Sequence, residues 1–228
     1  MYSGFSYLFP LTPPPMPPLI DLRVPLILAS QSPRRRALLE QVEWPFTVQV
    51  SPVEERLPDA PPPEAVRTVA GQKATPVAAE HLDALTLAAD TVVVFDGAIQ
   101  GKPASPDAAR TLLRRMQGRS HHVLTGMALH HPATNRRVAT TTRTTVFMAA
   151  LADAEIDAYV QSGLPMDKAG SYGIQDAMAS LFVRRLHGDY YNVMGLPLRT
   201  LYTTLRTHFS DLIADTASTV RGWKSDEG

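Results

Sequence analysis

The run Leu85–Phe95, LTLAADTVVVF, limits what this chain can fold into more than any other segment. Its β-branched and aromatic residues favour extended backbone packed on both sides. The Asp96-Gly97 pair that follows supplies the tight turn of a hairpin. One residue does not suit the run. Asp90 stands among apolar neighbours, where a carboxylate is costly to bury unless it is paired, hydrogen-bonded or set against a cation. Asp90 is therefore either a general base held in a strand or a structural carboxylate that bonds a neighbouring turn.

Around this strand the pattern alternates. Val24–Ala29 is a short apolar run fit for a buried strand, and the helix-compatible RRRALLEQV follows it after Ser32-Pro33. Phe46–Val50 alternates as a strand, Pro63–Glu80 has helical composition, and Pro106–Gln117 is a second such stretch. His121–His131 and a Thr- and Val-rich run through Met148 are expected strands, separated by a turn near Asn135. Asp153–Gln161 and Leu196–His208 are expected helices, with a strand at Ser180–Leu186 between them. The class is α/β, with a mixed twisted sheet and flanking helices, because hairpins interrupt the crossovers.

Composition excludes several function classes. The chain has 228 residues, 44% of them apolar, with 22 basic against 22 acidic side chains. Such a balance can fill a core, and it lacks the electrostatic footprint of a protein that binds nucleic acid through its phosphates. With no cysteine there is no disulfide, thiolate metal site or cysteine nucleophile, and a reducing cytoplasm is permitted. No window approaches a membrane span. Six prolines between Pro10 and Pro18 mark residues 1–22 as an extension outside the fold, expected to be disordered. The polar segment 210–228 reads as a weakly packed tail. The fold itself is expected over 23–209.

Four places could carry chemistry. In Ser30-Gln31-Ser32-Pro33-Arg34-Arg35, Ser32 fits a helix N-cap and Pro33 the first helical position, so a positive helix end would meet two arginines where a phosphate could bind. A capped helix with solvated arginines is the plainer reading. Asp90-Thr91 is the second place. Glu54-Glu55, Lys73 and Lys102 form the third: carboxylates suit a cation and ammonium groups suit phosphate oxygens, although such residues are commonly just exposed. In the fourth, Asp167–Gln175, two glycines around Ser-Tyr imply a sharp turn or close approach to a ligand. There Gln175 offers an amide able to donate and accept at once, as a pyrimidine edge would require. P-loop, dinucleotide-binding, zincin and nucleophile-elbow motifs are absent. The pairs His121-His122 and His130-His131 would point to opposite faces of a strand, so neither pair chelates one metal easily.

Six segments taken in order, LILASQSPRRRALL, SPVEER, AADTVVVFDGAIQGKP, HHVLTGMAL, DKAGSYGIQ and GDYYNVMGLPL, resemble the Maf family of nucleoside triphosphate pyrophosphatases, over about residues 24–208. The resemblance implies an α/β fold akin to the inosine-triphosphate pyrophosphatases, with two lobes around a cleft. It also implies a divalent metal, Mg or Mn, and hydrolysis of a nucleotide substrate to monophosphate and pyrophosphate. Residue by residue, it implies Asp90 as proton acceptor and Ser30, Ser32, Arg34 and Arg35 as a phosphate-binding loop. Glu55, Lys73 and Lys102 become charged cleft positions, Glu55 toward the metal, and Thr91 and Gln175 are tied to base choice. The DKAGSYGIQ form is similar to the branch that prefers dTTP and UTP. A cytoplasmic enzyme with neither a nucleic acid nor a membrane partner is expected, and a homodimer is left open. The rival readings are a broad-specificity hydrolase of modified nucleotides and a non-catalytic nucleotide-binding regulator of cell division.

Overall fold

The computed structural model describes residues 19–214. The expectations for residues 1–18 and 215–228 lie outside the described residues. In chain order the elements are β1 (Leu26–Leu28), α1 (Pro33–Gln41), β2 (Thr47–Val48), α2 (Pro62–Glu80), β3 (Leu85–Phe95), β4 (Ala98–Gln100), α3 (Pro106–Met116), β5 (Ser120–His131), β6 (Arg136–Met148), α4 (Asp153–Gln161), β7 (Val183–His187), α5 (Tyr190–Met194) and α6 (Leu198–His208). The strands form one mixed sheet in the order β2-β1-β3-β5-β6-β7, with β4 added to the β3 edge.

The topology around β3 creates the site. On one edge β5 runs antiparallel to β3 without interruption from Thr86 to Val94. On the other edge β1 pairs in parallel with Leu85–Leu87, and β4 pairs antiparallel with Val93–Phe95. Neither reaches the middle. The sheet is therefore notched opposite residues 88–92, with Asp90 at the centre of the notch. Ligands in open α/β sheets collect at such places, where neighbouring strands diverge.

Alternation along β3 divides the core. Leu85, Leu87 and Ala89 join the buried side chains of α1 and α6, while Val93 and Phe95 join those of α3 and α4. These two apolar clusters on one face are the two lobes, and Thr91 stands between them. On the opposite face, α2 lays the small side chains of Ala70, Ala74 and Val77 on Ile27, Ala88 and Ala128. Small residues on both surfaces bring the helix close to the sheet. At Gly126, paired with Asp90, an added Cβ would lie 2.2 Å from the Val66 carbonyl oxygen. Only glycine fits there, for steric reasons rather than for its backbone freedom.

Most element ends fall within one or two residues of expectation, and three differences are larger. Residues 179–182 are a 3-10 turn, so the last strand starts at Val183 rather than Ser180. The short α5 has its own N-cap, Asp189, and a left-handed Gly195 at its end. The packed fold also reaches past 22 and 209. Ile20, Phe209 and Leu212 are in the core, Leu22 bridges Ile213, and Ala214 N–H donates to the Asp21 carbonyl. No described helix is long and apolar enough to cross a membrane.

Candidate active site

The notch opens into a cavity of about 510 Å³, a size typical of small-molecule sites. The ten residues to which the family resemblance gives roles all line it, whereas Glu54, the neighbour of Glu55, does not. Because the sheet is interrupted there, side chains from both faces of β3, Asp90 and Thr91, reach the same space.

Asp90 faces α2. Lys73 projects from the inner stripe of that helix beside Ala70 and Ala74, and its Nζ lies 2.7 Å from Asp90 Oδ1 and 2.7 Å from Glu55 Oε1. Lys73 and Asp90 are 5% and 8% exposed, so each supplies the charge partner that makes the other's burial tolerable. Glu55 arrives on the loop between β2 and α2 and stays largely exposed. Burial would raise the Glu55 carboxyl, but the hydrogen bond and charge of Lys73, with Arg35 and Lys102, outweigh it and hold it below the ordinary carboxylate range.

Arg35 occupies the other side of the notch. Ser32 caps α1 as its sequence suggests, accepting from the Arg35 N–H at 3.5 Å, with Pro33 in the first turn. The Arg35 guanidinium is buried and anchored three times: Nε to the Gly195 carbonyl at 2.8 Å, Nη1 to Ser30 Oγ at 3.0 Å and Nη2 to Thr91 Oγ1 at 3.2 Å. Burial lowers its pKa, and the charges of Asp90 and Glu55 oppose that shift. The direction of the hydroxyl chain behind it can be deduced. Thr125 donates its one proton to the Asn192 carbonyl, so Thr91 must donate to Thr125 while accepting from Arg35. Thr91 is thus committed to fixing the arginine. With three of its five donors engaged, Arg35 is a fixed positive wall rather than a flexible clamp. Arg34 is more open, 3.6 Å from Asp167, and Lys102 is exposed at the rim.

The fourth segment closes the far wall. Gly170 and Ser171 both have positive φ, 73° and 61°, and the Gly170 N–H donates to the Gly101 carbonyl, which ties this loop to the end of β4. Buried Tyr172 stacks edge-on against His121, and its hydroxyl meets His121 Nε2 at 2.7 Å. Burial moves the pKa of Tyr172 up and that of His121 down to about 4. His122, on the opposite strand face, meets Thr145 instead. Gln175 is exposed at the cavity mouth. Lys168 is not among the residues the sequence singles out, yet it is 7% exposed in the cavity wall. Its ammonium meets the Leu164 carbonyl at 2.5 Å, Asp167 at 2.7 Å and Asp176 at 3.4 Å. Its burial among carboxylates leaves no mark in the linear pattern.

Among the described residues no three His, Asp or Glu side chains gather into a metal cluster. Two carboxylates do converge, Asp90 and Glu55. Each gives one oxygen to Lys73, and Asp90 Oδ2 and Glu55 Oε2 have no hydrogen-bond partner among the described residues. One or two carboxylates completed by substrate phosphates is the usual way a protein holds Mg²⁺, so this donor set fits such an ion.

A family model described as "Maf-like protein" matches residues 25–208. A "dTTP/UTP pyrophosphatase" from Salinibacter ruber is 56% identical over 87% of this chain and 98% of its own length. A relative of the same description from Halalkalibacterium halodurans is 49% identical over 81% of this chain and 96% of its own. Among solved structures, a HAM1 protein from Coxiella burnetii is similar over 80% of this chain and 98% of that chain, at 17% identity and a TM-score of 0.44. The family match spans both lobes and every residue of the cavity wall, and the chain belongs to the Maf family.

Proposed function

We propose that this protein hydrolyses nucleoside triphosphates, dTTP and UTP in preference, to the monophosphate and pyrophosphate, a house-cleaning activity on nucleotide pools. The observation that carries the proposal is a buried carboxylate, Asp90, in a cavity walled by Lys73, Arg35, Arg34 and Lys102. The names of the relatives, dTTP/UTP pyrophosphatases, support the same substrates.

Hydrolysis at the α-phosphorus forms one P–O bond from water and breaks the bond to the β-phosphate oxygen. Asp90 Oδ2 takes the proton of the attacking water, while Lys73 holds Oδ1 and fixes the carboxylate's direction. Arg35, anchored by Gly195, Ser30 and Thr91, presents fixed positive charge to phosphate oxygens, which needs no reorganisation as charge develops. Arg34 and Lys102 reach the more open part of the cavity and suit the departing pyrophosphate, and Ser30 and Ser32 shape the phosphate loop. Glu55, completed by substrate phosphates, would hold a divalent cation, Mg²⁺ or Mn²⁺, which when bound offsets charge on the phosphate oxygens. Gln175 stands where a base at the cavity mouth would be read.

The test is product analysis with a panel of nucleoside triphosphates and Mg²⁺ or Mn²⁺. Pyrophosphate and the monophosphate are expected, with kcat/KM for UTP and dTTP exceeding CTP by roughly tenfold or more. Orthophosphate as first product, or full activity in EDTA, refutes the mechanism. Equal use of CTP refutes the base preference and favours a broader hydrolase.

A further inference from the structure

We infer that Asp176, which does not itself line the cavity, is the positioning residue that sets which way round the Gln175 carboxamide faces, and so which pyrimidine it accepts. The inference rests on the proposed reading of Gln175 as a base-reading group.

A carboxamide is nearly symmetric in shape, so it reads hydrogen-bond polarity only if something prevents its flipping. Asp176 is well suited to do so. Its side chain is 10% exposed. Its Oδ2 accepts from the Tyr159 hydroxyl at 2.7 Å and lies 3.4 Å from Lys168 Nζ. The Tyr159 hydroxyl in turn accepts from the Gly173 N–H at 3.2 Å, so its own proton goes to Asp176. With the Tyr159 hydroxyl donating to Oδ2 and the Lys168 ammonium 3.4 Å from the same oxygen, Oδ1 is left to face Gln175 as an acceptor. Its Oδ1 lies 3.2 Å from Gln175 Nε2. An acceptor there selects the NH₂ end of the carboxamide and repels the carbonyl end.

The backbone reinforces the choice. The Asp176 N–H donates to the Gly173 carbonyl at 2.9 Å, which closes a four-residue turn that carries Gln175. A Cβ on Gly173 would lie 2.9 Å from Gln175 Nε2 and 2.7 Å from Lys168 Cε, so glycine leaves room for both side chains. Gln175 Oε1, with no hydrogen-bond partner among the described residues, is left as an acceptor, together with the second Nε2 hydrogen. Uracil and thymine present a donor, N3–H, between two carbonyls. Cytosine presents an acceptor at N3 beside an amino group. Opposite N3 the two classes need the carboxamide in opposite senses, and Asp176 permits one.

The experiment measures kcat/KM for UTP and CTP in wild type, Gln175→Ala, Asp176→Asn and the double variant. The asparagine amide can donate as well as accept, so Asp176→Asn releases the orientation at nearly unchanged volume. The expected result is a UTP:CTP ratio reduced about threefold or more in Asp176→Asn, and no further reduction when the change is added to Gln175→Ala. A loss shared equally by both substrates, with the ratio kept, would mean that Asp176 only supports the loop, and the inference falls. A wild type with no preference, or a Gln175→Ala that leaves the ratio intact, removes the base-reading role itself. A second measurement needs no Asp176 variant. In the wild-type protein, one of the two Gln175 side-chain amide protons, assigned by its loss in Gln175→Ala, should be protected from exchange. Both exchanging like a free carboxamide would overturn the inference.

Discussion

Replacing Gly126 by alanine adds one methyl group on β5, in the register position opposite Asp90. That Cβ would lie 2.2 Å from the Val66 oxygen, 2.3 Å from its carbonyl carbon and 2.6 Å from the Arg67 nitrogen, whereas ordinary contact begins near 3.4 Å. All three are helix backbone atoms, which cannot rotate aside as a side chain does. Restoring contact requires α2 and β5 to separate by about 1.2 Å at this point. Lys73 lies two turns along the same helix, so a rigid displacement of that size would loosen its 2.7 Å contact with Asp90. Overpacking of a tight core costs typically about 1–3 kcal/mol. For a domain of this size that lowers Tm by roughly 2–12 °C. A misplacement near 1 Å at a catalytic group lowers the rate by about 10²-fold. Thermal unfolding and pyrophosphate release, measured on the same preparation, check both figures. A Gly126→Ala protein with wild-type Tm and turnover would refute the claim that close approach of α2 sets the Lys73–Asp90 geometry.

Three further outcomes are expected. Asp90→Asn should keep the fold and nucleotide binding while lowering kcat by at least about 10²-fold, as loss of a general base does; near-normal turnover would make Asp90 structural. Thr91→Val removes one of three anchors on Arg35, a hydrogen bond to a charged group that contributes about 1.5–3 kcal/mol, and should lower kcat/KM by about tenfold or more; an unchanged kcat/KM would show that Gly195 and Ser30 suffice. His121 titrates near 4 when folded, against 6.5 when unfolded, because burial disfavours its charged form. Below 6.5 the unfolded state binds the proton first, so this contribution to stability falls as pH drops from 6.5 to 4, by about 3 kcal/mol at the end of that window. Denaturant midpoints across it should fall less in His121→Gln than in wild type, and parallel curves would refute the assignment.

What the sequence reveals and what it hides differ by the kind of information each contact needs. β3 is read in full, Leu85 to Phe95, because eleven residues of β-prone sequence ending in Asp-Gly leave little alternative. Ser32 and Pro33 mark the start of α1, since capping chemistry is local. Lys73 is different: within its helix it is one polar residue, and its value depends on Asp90, seventeen positions away on another element. Thr91 is suggested by its place beside Asp90, yet its hydrogen bonds to Arg35 and Thr125 arise from tertiary contact. Lys168 and Asp176 lie in or beside a quoted motif, but their burial together follows from the packing of α4 and the Tyr159 ring. The helix α5 is legible in principle, for Asp189 and Gly195 are ordinary N- and C-terminal signals, but five residues between them fall below the length at which periodicity can be recognised.

The pairing of Asp21–Arg23 with Leu212–Ala214 places the two ends of the described fold side by side. The family match, residues 25–208, stops short of this clasp on both sides. A fragment trimmed to those limits would lose Ile20, Phe209 and Leu212 from the lobe that carries α1, and with them the fastening that keeps β1 and α6 from peeling apart. The same adjacency makes the protein a natural candidate for circular permutation. A short linker could join the neighbouring ends, and new termini opened in the exposed turn at Asp96-Gly97 would leave the order of strands in space unchanged while reversing which lobe is synthesised first.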